Sequence, residues 1–157
     1  QKGKINFDEV QFVSKEYLKN NEEKAGIHKY DLLLTSTGMG RGKFALYEDD
    51  EICFADSHIS IIRFYINRII PLFLSYYCQS FFGSEQLKYI ELQIKGTPEI
   101  YEDQLNLFKI PNILKKEQQN IVNEIEIELN KQEEIKQKIK MEKDKIDNLI
   151  ENVIYNL

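Results

Sequence analysis

"KKEQQNIVNEIEIELNKQEEIKQKIKMEKDKIDNLIENVIYNL", Lys115 to Leu157, contains no glycine and no proline and is a dense mixture of Glu, Lys, Ile and Gln. No turn former interrupts it, so it reads as one long helix. Steps of three and four from Gln118 fall on Ile121, Ile125, Glu128, Gln132, Ile135, Ile139, Glu142, Ile146, Leu149 and Val153. Leu129, Met141, Ile150, Ile154 and Leu157 widen that stripe. Such a face is a coiled-coil seam. At about 1.5 Å per residue a helix of about 40 residues extends about 60 Å, more than one small domain covers, so a second helix is expected along it. The polar seam positions Glu128, Gln132 and Glu142 point to a specified partner and register, because buried polar groups cost energy unless paired. A solvated helix packed on its own domain is the competing reading.

Upstream the texture changes. From Gln1 to about Ile113, short apolar runs alternate with polar turns, as in a mixed globular domain. Strands are expected at Val10–Val13, Leu32–Thr35, Phe44–Tyr47, Ile52–Ala55 and Ile59–Phe64, where β-branched and aromatic residues lie between turn formers. A helix is expected over Ser14–Asn20 with Ser14 as its cap, and another over Pro71–Phe82 with Gly83 closing it. Ser84 opens a further short helix to Glu91. The fold class is therefore α+β, a mixed sheet with a few packed helices over residues 1–114, followed by a long coiled-coil helix over residues 115–157.

Composition excludes several functions. The chain has 157 residues, enough for one compact domain and an appended element, and a net charge of −5. Bulk attraction to nucleic acid or an anionic membrane is not available, so any DNA contact has to come from local basic groups. The most apolar stretch, Ile69–Gly83, is shorter than the roughly 20 residues a membrane span needs. No secretory signal opens the chain. Cys53 and Cys78 stand far apart without a ligand-spaced His or Cys, and read as buried thiols in a reducing cytoplasm.

"TSTGMGRGK", Thr35–Lys43, places glycines at 38, 40 and 42 and ends in two basic residues. A phosphate-cradling loop needs a wider glycine spacing, a Ser or Thr after the lysine and a helix beyond it, whereas Phe44 follows Lys43 and "FALYEDDE" reads as strand and turn. The dinucleotide fingerprint fails for the same reason. What remains is a strand-to-strand turn with Thr35, Ser36, Thr37, Arg41 and Lys43, whose hydroxyls, backbone N–H groups and cations suit DNA phosphates and base edges. A glycine-rich hairpin with incidental charge has the same composition. His58, Lys95 and Thr97 are further candidates. His58 stands equally as a strand-end hydrogen-bonding residue, and Gly96-Thr97 as a turn.

"YDLLLTSTGMGRGKFALYEDDEICFADSHISIIRF", Tyr30–Phe64, resembles the corresponding stretch of target recognition domains in type I restriction-modification specificity subunits. "LNLFKIPNILKKEQQNIVNEI", Leu105–Ile125, is similar to that family's closing strand and helix start, with Pro111, Glu117, Gln118, Ile121 and Val122 in place. "IKGTPEI", Ile94–Ile100, is similar to its Gly-Thr turn. With the helix that follows, these segments cover most of the chain in the family's order.

The resemblance implies sequence-specific binding of double-stranded DNA, one domain reading one half of a bipartite site while the long helix, through Ile121, Ile125, Ile135, Ile139, Ile146, Leu149 and Val153, pairs with a second specificity half and sets the spacing. It implies docking of a DNA adenine methyltransferase subunit and of the restriction subunit, in the cytoplasm. S-adenosylmethionine, ATP and Mg belong to those partners, and the chain itself is a reader without cofactor or metal. Two departures stand out. A full specificity subunit has two recognition domains and two spacer helices, whereas this sequence has one of each, as in a half subunit or a fragment. It also lacks the piece that in the family precedes the part corresponding to "GKINFDEVQFVSKEYL", often with a Trp and a first Gly-Thr-Pro turn, and it contains no Trp.

The residues argue against catalysis. No Pro-Pro exists for a methyltransferase motif, and Glu22 and Lys24 lie in a charged turn. The alternative from another class is a coiled-coil assembly module whose globular head binds protein.

Overall fold

The computed structural model describes residues 3, 5, 7, 10–38, 40–93 and 99–155. The chain forms two compact units, Gln1–Gln118 and Gln119–Leu157. The first holds a three-stranded sheet with β1 (Leu32–Thr35) between β2 (Phe44–Leu46) and β3 (Ile59–Ile62). Both pairings are antiparallel, with Leu33 opposite Ala45 on one side and Ile61 on the other. The sheet expected to be mixed is thus antiparallel in both pairings among the described residues.

β1 is apolar at successive positions because it is covered on both faces, and alternate side chains go to opposite sides. Leu32 and Leu34 join Phe44, Leu74, Cys78, Leu87 and Ile100 in one cluster. Leu33 joins Ile27 and Tyr47 in the other, with Cys53, Ile59 and Ile61 packed against it. Burial pushes the Cys78 thiol up to about 12. Cys53, expected to be buried too, is only half-buried, because it sits on the rim of the smaller cluster.

α1 (Lys15–Ala25) begins as its sequence dictates: Ser14 Oγ accepts the Tyr17 N–H at 3.1 Å. Pro71 occupies the first turn of α2, as expected, but the single helix over Pro71–Phe82 is two. α2 (Pro71–Gln79) and α3 (Phe81–Leu92) meet at Ser80, which ends one and caps the other. Its hydroxyl donates to Tyr77 O at 2.6 Å and accepts the Gly83 N–H at 3.3 Å. Gly83 is therefore not a terminator. It lies in the first turn of α3 against the Tyr77 and Cys78 carbonyls, where a Cβ would collide with backbone.

Four strand expectations change, the smallest at β2, which ends at Leu46 rather than Tyr47. Val10–Val13 is open chain, with Phe12 fully exposed at 96%. Its alternation finds no partner strand among the described residues, and an unpaired strand has no ladder to hold it. Ile52–Ala55 reduces to one bridge between Cys53 and Ile27. The acidic turn on one side and the Asp56 turn on the other leave one residue aligned. β3 ends at Ile62 rather than Phe64, because Arg63 turns onto Asp31, Nε to Oδ1 at 3.1 Å, and onto the Gly26 carbonyl.

After the short α4 (Glu102–Leu105), α5 runs unbroken over Lys115–Tyr155, 41 residues. Glu117 Oε2 accepts the Leu114 N–H at 3.1 Å and satisfies a donor at its start. The α+β class and the long C-terminal helix are as the sequence implies. Every described residue of α5 from Lys131 onward is exposed, Ile135, Ile139, Ile146, Leu149 and Val153 at 52–65%. Leu157 lies outside the described residues. Among the described residues no helix is long and apolar enough to cross a membrane.

Candidate nucleic-acid interface

The β1–β2 connection, Ser36–Lys43, stands at the end of the sheet where Thr35 pairs with Ile59. Thr35 N–H donates to Lys43 O at 3.0 Å, Gly42 N–H to Thr35 O at 2.9 Å and Arg41 N–H to Gly38 O at 3.2 Å. Gly38 and Gly42 have φ of 75° and 82°, which explains two of the three glycines: the chain reverses through backbone that a side chain disfavours.

The glycines suggest a flexible turn; the contacts make it a clamped one. Arg41 Nε lies 2.9 Å from Glu91 Oε1 on α3, and both side chains are about three-quarters buried. Gly42 packs beneath the same helix, where an added Cβ would meet Leu87 Cδ2 at 3.0 Å and Glu91 Oε1 at 3.4 Å. Arg41 thus holds the loop instead of projecting from it.

Ser36, expected at the contact surface, points inward and is 2% exposed. Its N–H and Oγ both donate to His58 O, at 2.8 and 3.0 Å, and its own carbonyl accepts from Ile100 N–H at 3.1 Å. Every polar group of Ser36 is used in joining β1, the β3 start and the segment before α4. Thr37 Oγ1 contacts His58 Nδ1, and His58 N–H donates to Asp56 Oδ1 at 2.9 Å. His58 is exposed, as is Lys43, and among the described residues Lys43 has no ion-pair partner. Lys95 and Thr97 lie outside the described residues.

The structure accordingly brings Thr35, Ser36, Thr37, Lys43 and His58 together at one end of the sheet. Lys43 and His58 are exposed, an ammonium and an imidazole suited to phosphate and base-edge contacts, and the half-buried Thr37 hydroxyl is bonded to the His58 ring. His58 also serves as the strand-end hydrogen-bonding residue of the competing reading. Glu91, the clamp for Arg41, gave no signal in sequence because it is fifty positions away. Asp56 was legible in principle, since an Asp two residues before His58 is an Asx-turn pattern.

Lys43 and Thr35 also line a cleft of about 1170 Å³ on the sheet face occupied by the smaller cluster, with Ala45, Tyr47, Cys53 and Ile59 as part of its wall. Burial, and then the Cys53 thiol, raise the Tyr47 phenol above its ordinary range, so it stays neutral and donates to Glu51 O. Among the described residues no three His, Cys, Asp or Glu side chains are grouped to hold a metal ion. No family model matches the chain, and no curated protein matches it either.

Proposed function

We propose that this chain is the sequence-reading component of a type I restriction-modification system, a non-catalytic protein of the cytoplasm. It reads one half of a bipartite DNA site with the β1–β2 hairpin and pairs through α5 with a second specificity half. An adenine methyltransferase subunit, carrying S-adenosylmethionine, docks on the paired helices, and the ATP- and Mg-dependent restriction subunit joins that complex. The observation that carries the reading is the clamped hairpin itself. Its glycine backbone and its Arg41–Glu91 tie fix the loop that carries Thr37 and Lys43, and Thr37 contacts the exposed His58 at the same end of the sheet. A preorganised loop loses little entropy on binding, which is what recognition of a fixed base sequence requires. The motif resemblance supplies the class of partner, and the exposed apolar stripe of α5 supplies a place for one.

The reading is tested by titrating the chain against random-sequence duplex at several salt concentrations. Affinity should fall linearly in log–log form, and Lys43→Gln should flatten the slope by about 0.9, one phosphate contact. Binding indifferent to salt and to Lys43 would remove the hairpin from the interface. One observation favours the assembly-module reading instead. Arg41, the second cation of the loop, is engaged within the protein, while apolar surface is abundant on α5. That reading predicts no sequence-dependent retention of DNA.

A further inference from the structure

α3 carries an apolar face of its own. Phe81, Phe82, Tyr89 and Leu92 are 66–86% exposed, while Gly83, Leu87 and Ile90 on the other side of the helix are buried. A single exposed leucine needs no explanation; four large apolar side chains on twelve residues mark a contact surface. The order of groups along this face identifies the occupant. Phe81, Glu85, Lys88 and Leu92 are spaced by four, three and four, so they form one stripe of the helix, with Phe82 and Tyr89 together on one flank. Read from either end the stripe is apolar, charged, charged, apolar, with the two charges opposite in sign.

A two-fold axis between residues 86 and 87 therefore lays the face on itself. Antiparallel pairing puts Phe81 on Leu92 of the second copy and Glu85 on Lys88 of the second copy, and brings Phe82 beside Tyr89 of the second copy. Parallel pairing would set Glu85 on Glu85 and Lys88 on Lys88, which repel. Interfaces about a two-fold axis are made from one patch used twice, and this patch is complementary to itself in shape class and in charge. Within one chain Lys88 Nζ already lies 2.6 Å from Glu85 Oε1, with the two side chains 66% and 48% exposed, so each ion has room for a second partner of opposite sign. We propose that the outer face of α3 docks on the same face of a second copy, antiparallel, joining globular units independently of α5.

Sedimentation equilibrium of the full chain tests this. The wild type should show a concentration-dependent gain in mass that Glu85→Lys alone and Lys88→Glu alone both lose, since each single reversal puts like charges across the axis. An equimolar mixture of the two variants should regain it, because the Glu85→Lys chain presents two cations where the Lys88→Glu chain presents two carboxylates, and opposite charges again meet across the axis. Circular dichroism of the two variants should match the wild type, separating lost association from lost fold. Equal association in all samples would overturn the proposal, as would a wild type with no such step or a mixture that stays as dissociated as its components. Leu92→Glu should abolish the step in wild type and mixture alike; its persistence would equally overturn the proposal.

Discussion

Gln118 Oε1 accepts the backbone N–H of Ile70 at 2.8 Å, so the first turn of α5 is tied to the residue that caps α2. The same amide donates from Nε2 to Arg68 O and Ile113 O, both at 3.0 Å, and the side chain is 2% exposed. A buried amide with three partners is specific in a way an apolar residue is not, because an apolar replacement leaves three part-buried backbone groups without their partner.

Gln118→Leu, close in volume, should therefore cost about 2–4 kcal/mol, the desolvation of Ile70 N–H, Arg68 O and Ile113 O left unpaired. Gln118→Glu should be no milder at neutral pH, since a carboxylate has no proton for the two carbonyls. Chemical denaturation measures both. A loss below about 0.5 kcal/mol would mean these groups find other partners.

The Arg41–Glu91 pair predicts a matched phenotype. Arg41→Gln and Glu91→Gln should each destabilise the protein by no more than about 1 kcal/mol, since the pair is partly exposed. Both should weaken sequence-specific DNA binding equally while leaving the salt slope unchanged. If Arg41→Gln alone flattens the slope or alters the preferred base at one position, Arg41 leaves Glu91 on binding and touches DNA itself.

Gly38 and Gly42 share a backbone conformation but not surroundings. Gly38→Ala meets nothing within 4 Å and should cost only the left-handed strain, about 1–2 kcal/mol. Gly42→Ala adds a Cβ 3.0 Å from Leu87 Cδ2, so it should be the more destabilising of the two in the same denaturation assay and the more damaging to DNA binding. Equal effects would show that the loop does not rest on α3.

The thiols separate by reactivity. Cys53, half-buried, should react with a maleimide in the native protein, while Cys78, buried in the main cluster with its pKa at about 12, should react only on unfolding. The linkage sign follows from the neutral thiol being favoured in the fold. An unfolded chain ionises Cys78 near its ordinary value of 9.0 and the folded chain near 12, so its contribution to stability is complete below about pH 9 and declines as pH rises towards 12. Cys78→Ala should remove that part of the alkaline decline, read from denaturation midpoints across the range.

Elements whose cause is local were legible in sequence. Ser14 caps α1, Pro71 starts α2, the triple-leucine run is the central strand, and the unbroken Glu-Lys-Ile texture is α5. Features decided by distant partners were not. Val10–Val13 has the pattern of a strand but no neighbour to pair with among the described residues, and Ser80 divides a helix that composition alone would continue. At the candidate site the sequence found the hairpin and its two cations but could not sort their roles. Ser36 faces inward because His58 and Ile100 receive it there, and Arg41 is held because Glu91 lies beneath it. Residue type shows what a side chain can do; the partner across the fold decides which of those things it does.

Selection from randomised duplex DNA by the purified chain at low salt, followed by sequencing of the retained pool, tests the proposed sequence reading. A short motif should be enriched, present as two half-sites at fixed spacing where α5 pairs two copies. A retained pool with the same base composition at every position as the input, from chain shown to be folded, would contradict it.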